Sequence, residues 1–133
     1  MSKVSTDPIS DMLARIRNAN AVNITDVSLP YSSIKHSVAK VLSESGYILS
    51  VKGSGSGKDK ILSLVLSSSS QSPKITSIKR LSKPGRRTYT TSKDIPRIKH
   101  GRGMVIISTA KGIMSGDQAK SKQVGGELIC EVY

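Results

Sequence analysis

Aromatic side chains are nearly absent from this sequence of 133 residues, which has four Tyr, no Phe and no Trp. Single-stranded nucleic acid is held on platforms of stacked rings, so that mode has little material here, and any nucleic acid is expected to be gripped by shape. Cysteine is limited to Cys130. That excludes a disulfide framework or a cysteine-built metal site within the chain and points to a reducing compartment. No apolar run approaches the ~18 residues of a membrane span. The opening "MSKVSTDPIS" has no apolar signal core. The sequence therefore reads as cytosolic, with no membrane partner.

Catalytic material is equally thin. His36 and His100 lack the H-x-x-x-H spacing of a helical zinc site, and the scattered Asp and Glu offer no paired acid and base. Cys130 falls in the apolar alternation of "GELICEVY", as a buried strand residue does. The glycine-rich "GSGSGKD" fails the G-x-x-x-x-G-K-[ST] spacing of a phosphate loop, because Asp59 stands where a hydroxyl must be; Lys58 also breaks G-x-G-x-x-G. No catalytic residue, metal or cofactor is expected.

Acid is the last shortage. Nine Asp and Glu face 21 Lys and Arg, a net charge of +12. The excess is uneven: residues 1 to 66 carry a net +3 and residues 67 to 133 a net +9. From Lys79 to Arg102 there are nine basic side chains and one acid, Asp94. A solvated surface usually mixes its signs, so the C-terminal half is expected to face a polyanion, with nucleic acid the leading candidate.

The apolar residues that are present recur with clear periods. In "TDPISDMLARIRNAN", Asp7 is placed to cap a helix and Pro8 to open it, with Ile9, Met12, Leu13 and Ile16 on one stripe. Asp11, Arg15 and Asn18 fall on the opposite face, as a solvated surface or as contacts to a phosphate backbone, with Arg17 at the flank. "NITDVSLP" reads as a strand. A second helix is expected near Ser32 to Ser45, with Ile34, Val38, Val41 and Leu42 inward and His36 outward. "GYILSVK" and "KILSLVL" form a hairpin about "GSGSGKD". The fold class is therefore α+β, in two small lobes: an α-β-α-β-β lobe over 1–66 and a mostly β lobe with short helices over 74–133. The polar, proline-closed "SSSSQSP" at 67–73 is the linker. In the second lobe, "KITSIKRL", "RRTYTT", "GMVIIST" and "GELICEVY" read as strands, and "SGDQAKSKQ" as a loop.

The stretch "ISTAKGIM" sets Ser108, Thr109, Lys111 and Gly112 in one turn. Hydroxyls and backbone N–H groups of this kind reach the 2′-hydroxyls and base edges of RNA's wide, shallow minor groove, while Lys and Arg neutralise phosphates. Gly112, Gly125 and Gly126 either admit the backbone close to that groove or serve turn geometry alone.

"DPISDMLARIRNA", "SKPGRRTY", "ISTAKGIM" and "GGELICEVY" occur in this order in the bacterial-type small-subunit ribosomal protein eight family, which the chain resembles over nearly its whole length. The resemblance implies direct binding to a helical region in the central domain of small-subunit rRNA, beside neighbouring ribosomal proteins. In some bacteria it further implies repression of the protein's own operon mRNA through a mimic of that site. RNA contacts are implied at Tyr89, Ser108, Thr109, Ala110, Lys111, Gly112, Gly125, Gly126 and Glu127. Secondary contacts are expected at Arg15, Asn18, Ser32, Lys35, Arg86 and Arg87. Ala110 departs from the family's usual Ser and removes one hydroxyl contact; "SGDQAKSKQ" also departs, adding Lys120 and Lys122. Two other readings stay open: an enzyme acting on RNA or nucleotides whose basic face steers substrate, and a regulator that binds mRNA alone.

Overall fold

The computed structural model describes residues 7–67 and 75–133. Helix α1 (Pro8–Ala21) buries Ile9, Met12, Leu13, Ile16 and Ala19, the stripe that its spacing dictates. Strand β1 (Asp26–Pro30) follows, then α2 (Ser33–Glu44), and the hairpin β2 (Ser50–Ser54) and β3 (Ile61–Val65) about a short 3-10 turn at Gly57–Asp59. The expected α-β-α-β-β order is observed. These strands form an antiparallel sheet of order β1-β3-β2, and its Leu29, Leu62 and Leu64 are buried.

The second sheet contains β4 (Ile78–Arg80), β5 (Tyr89–Thr90), β6 (Met104–Thr109), β7 (Gly112–Ser115) and β8 (Gly126–Val132). Its order is β4-β8-β6-β7, with β5 also paired to β8. The fold is α+β with a mostly β C-terminal region. The 67–73 linker lies, apart from Ser67, outside the described residues.

Three local expectations are corrected. Asp7 occupies the cap position of α1, but its side chain makes no cap hydrogen bond; its carboxylate is taken by Ser10 and Arg80. Ile34 is 42% exposed and Lys35 only 6%. The inward stripe of α2 thus starts three residues before Val38 rather than four, and the lysine's aliphatic stem fills the slot. "SGDQAKSKQ" is not a loop: Gly116–Ser121 form helix α3, opened by a capping box in which Ser115 and Gln118 exchange side-chain and backbone bonds.

One apolar cluster draws on both stretches, joining Ile9, Met12, Leu13 and Ile16 of α1 to Ile78, Ile106, Ile129, Cys130 and Val132. A smaller one, built on Ile95, Val105, Ile107, Met114, Ala119 and Leu128, lies under α3. Two arginines fasten α1 to the C-terminal sheet over this core. Arg17 Nη2 donates to the Ile78 carbonyl at 2.6 Å. Arg80 donates to Asp7 at 3.0 and 3.3 Å and to the Ile129 carbonyl at 2.6 Å.

The Arg80 and Asp7 side chains are only 8% and 14% exposed, so the loss of one partner strands the other. Arg80→Met is expected to lower stability by about 3 kcal/mol, read as a lower urea midpoint at neutral pH. Burial works to raise the Asp7 carboxyl, but the Ser10 and Arg80 hydrogen bonds outweigh it and hold the group below its ordinary 3.8. A carboxylate depressed in the folded state contributes its full stability above the unfolded value and loses it as the pH falls through the folded value. The stability gap between the parent and Asp7→Asn should therefore be constant near neutrality and shrink below pH 3.8.

Candidate nucleic-acid interface

β6 and β7 are joined by a two-residue turn, Ala110 and Lys111, with Thr109 paired to Gly112. Both turn residues keep negative φ, so the left-handed step falls on Gly112, at φ 118. Thr109 holds this corner together. Its hydroxyl donates to the Gly112 carbonyl at 2.8 Å and accepts the Lys111 N–H at 3.1 Å. The side chain of Thr109 is thereby committed to the turn, whereas Ala110, Lys111 and Gly112 are exposed.

β8 lies between β6 and β5. Ser108 pairs with Glu127, which pairs with Tyr89; Thr109 pairs with Gly126, which pairs with Thr90. Residues in one row of a sheet share a face, so Tyr89, Glu127 and Ser108 form a line across three strands that ends beside the Ala110–Lys111 turn. Tyr89 is 69% exposed. The hydroxyl of Ser108 makes no hydrogen bond with a described residue.

Glu127 does not face this surface as a bare charge. Its Oε2 accepts from Ser82 Oγ at 2.5 Å and from Arg87 Nη1 at 3.0 Å, leaving Oε1 without a hydrogen bond from the described residues. Burial pushes this carboxyl up, and the Ser82 and Arg87 hydrogen bonds more than reverse that, holding it below its ordinary value. Ser82 is fully buried and also accepts the Thr88 N–H at 3.1 Å. Ser82 opens the "SKPGRRTY" stretch, but a serine ahead of Lys-Pro-Gly reads only as turn chemistry and not as a partner of Glu127. Lys83 and Arg86 bond each other's backbone across Pro84 and Gly85, at 3.1 and 2.9 Å, and this hairpin presents Arg87 to Glu127.

The two glycines have an internal reason. A Cβ on Gly126 would stand 2.0 Å from the Ser108 carbonyl oxygen, and one on Gly125 would stand 2.3 Å from that of Thr90. Neither has positive φ. Turn conformation is not what requires glycine at 125 and 126; strand-to-strand approach is.

The secondary residues divide. Arg87 joins the line just described, and Arg86 is exposed in the same hairpin. Arg15, Ser32 and Lys35 belong to α1 and α2, and each has an internal partner or setting. Arg15 pairs with Asp11 at 3.1 Å. Ser32 Oγ caps α2 by accepting the Lys35 N–H at 3.2 Å. Lys35 is buried, which pulls its amine below lysine's usual value; Asp11 nearby favours its charge and Arg15 opposes it. Asn18 is exposed on α1.

Burial lifts the Cys130 thiol to about 12, too high to supply a thiolate near neutrality. Among the described residues, no group of three or more His, Cys, Asp or Glu could hold a metal ion, and no helix is long and apolar enough to cross a membrane.

Residues 7–133 match the family model described as Ribosomal protein S8. The chain is similar to the small ribosomal subunit protein uS8 of Christiangramia forsetii, at 45% identity over 98% of this chain and 100% of the relative. It is 47% identical to that of a Synechococcus species, over 97% and 98%, and 44% identical to that of Nitratidesulfovibrio vulgaris, over 96% and 98%.

Two measurements check the internal bonding. Gly126→Ala should cost about 3 kcal/mol, since the added methyl meets backbone that cannot swing aside, and should appear as a large drop in Tm. Ser82→Ala removes a donor to the Glu127 carboxylate and should raise its titration toward the ordinary 4.5, followed by carboxyl NMR.

Proposed function

Because the chain belongs to the ribosomal protein S8 family, we propose that it is a structural, non-catalytic constituent of the small ribosomal subunit in the cytoplasm, and a primary binder of a helix in the central domain of small-subunit rRNA. The observation that carries this reading is the line Tyr89, Glu127, Ser108 running into the exposed Ala110–Lys111–Gly112 corner, flanked by Arg86 and Arg87.

Each group has a role suited to a shallow minor groove. Ser108 both donates to and accepts from a 2′-hydroxyl or base edge. Glu127 Oε1 accepts from an exocyclic amine or a 2′-hydroxyl, while Arg87 neutralises the carboxylate and limits its repulsion of phosphate. Tyr89 lays an exposed ring against sugar or base. Lys111 and Arg86 meet phosphates. At Ala110 and Gly112 the backbone alone is offered, and small residues keep it close to the groove. Gly125 and Gly126 act indirectly, by letting β8 carry Glu127 between Ser108 and Tyr89. Thr109 acts through the shape of the turn.

In this reading residues 1–66 and 74–133 serve as two lobes about the 67–73 linker, with the second carrying the RNA surface and the first adding contacts at Arg15 and Asn18. Other small-subunit proteins are its neighbours. An operon mRNA hairpin with the same groove shape would meet the same residues, and repression of its own messenger follows from that likeness of shape.

Ser108→Ala should weaken binding to the central-domain helix by about 1 kcal/mol, the worth of one hydrogen bond, with Tm unchanged. Ala110→Ser, in an exposed turn with room for a hydroxyl, should tighten it by about 0.5–1.5 kcal/mol. Titrations in rising salt should show log K falling by about 0.9 per neutralised phosphate, taking duplex DNA as the guide, with the cognate helix retaining an advantage over a scrambled duplex at every salt concentration. Equal binding to both RNAs throughout would overturn the reading.

A further inference from the structure

The RNA-facing corner occupies one end of the C-terminal sheet, and the other end carries basic side chains that the proposed function does not use. From Thr109 back to Met104, β6 runs five residue steps, about 17 Å at about 3.3 Å each. The intervening Val105, Ile106 and Ile107 are buried, so the two ends are separate surfaces rather than one continuous track.

Just before Met104 the chain folds into a tight loop. The N–H groups of Gly101 and Gly103 both donate to the Ile98 carbonyl at 3.0 Å, and that of Arg102 to the Lys99 carbonyl at 3.1 Å. Lys99 and Arg102 are exposed on this loop. It is also pinned from outside: the Tyr47 hydroxyl donates to the Arg102 carbonyl at 3.3 Å, and Lys99 Nζ sits 4.7 Å from the centre of the Tyr133 ring. Beside the loop is a cleft of about 260 Å³ lined by Arg97, Gly101 and Gly103, and by Asp117 and Lys120 of α3. The guanidinium of Arg97 lies against Gly101, where an added Cβ would come within 3.1 Å of it. Asp117 is the one carboxylate among the described residues lining this cleft.

Arg97, Lys99 and Arg102 thus stand on or beside a fixed loop, and Arg97 and Lys120 of α3 line the small polar cleft next to it. Among the described residues, none of the large exposed apolar side chains belongs to it, so an exposed apolar or aromatic anchor for a protein interface is missing. What fits concentrated positive charge without such anchors is a phosphodiester backbone.

We propose that the Arg97, Lys99, Arg102 and Lys120 end of the C-terminal sheet is a second RNA-docking surface, which takes the phosphate backbone of an rRNA segment other than the helix held at the Ser108–Gly112 corner. The proposal rests on the RNA-binding reading above and extends it: the protein ties two RNA segments together across one sheet.

Arg102→Gln combined with Lys120→Gln tests it, because neither side chain bonds a described residue and the melting curve should match the parent's. Affinities are measured for two probes, the isolated central-domain helix and a complete central-domain transcript. The double variant should bind the helix as the parent does, and the complete domain about five-fold more weakly with a salt slope shallower by about 1–2, as expected when one or two phosphate contacts are lost. Parent-like binding to both probes would overturn the proposal. So would an equal loss on both, which would mark a single shared field of charge. A loss that appears only when other small-subunit proteins are added would assign the surface to an acidic protein instead. If the parent does not bind the isolated helix, the corner reading fails on its own, while the comparison on the complete domain still tests this surface. Should the double variant unfold, Arg102→Gln alone must still weaken binding to the complete domain about two-fold, as one phosphate contact would require.

Discussion

Strand β8 can run between β6 and β5 only because residues 125 and 126 have no side chains. The backbone there comes so near the Thr90 and Ser108 carbonyls that even one added carbon would overlap them. Everything proposed for the RNA surface depends on this approach: it sets Glu127 opposite both Ser108 and Tyr89, and it brings the SKPGRR hairpin close enough for Ser82 and Arg87 to reach the same carboxylate oxygen. A side chain at 126 would prise apart the strands on which that line is drawn.

The protein also uses part of its positive charge on itself. Arg17 and Arg80 hold α1 to the second sheet, and Arg87 restrains Glu127. Arginine suits the place of Arg80 in particular, because its planar fork satisfies the Asp7 carboxylate and the Ile129 carbonyl at once. The count of 21 Lys and Arg therefore overstates the side chains free to meet a polyanion, and the net charge of +12 already discounts the two ion pairs. Among the cations whose side chains bond no described residue, Lys111 stands at a turn at one end of the second sheet and Arg102 in the loop at the other.

Periodicity made the fold legible wherever a whole stripe was apolar, as at Ile9, Met12, Leu13 and Ile16. It misled at Ile34 because a lysine stem can occupy a core slot, which hydrophobic counting does not foresee. Helix α3 was legible in principle, since Ser115 and Gln118 stand at capping-box spacing in "SGDQ", but its single turn of apolar residues is too short to show a period. The residues of the candidate site were marked by their hydroxyls, charges and glycines; their division of labour was not. That Thr109 holds a turn, that Glu127 is bonded by a buried Ser82, and that Gly126 answers to Ser108 are facts of pairing between strands distant in the chain, which no local pattern encodes.

The corner at Thr109 has a kinetic consequence. With its hydroxyl bonded on both sides of the turn and Glu127 already restrained, the surface needs no refolding to meet a groove. Ordering costs that slow and weaken flexible binders are largely absent. On the proposed RNA-binding reading, encounter becomes a matter of orientation and electrostatic attraction, and the protein would dock early, as a preformed template against which a still-mobile RNA settles.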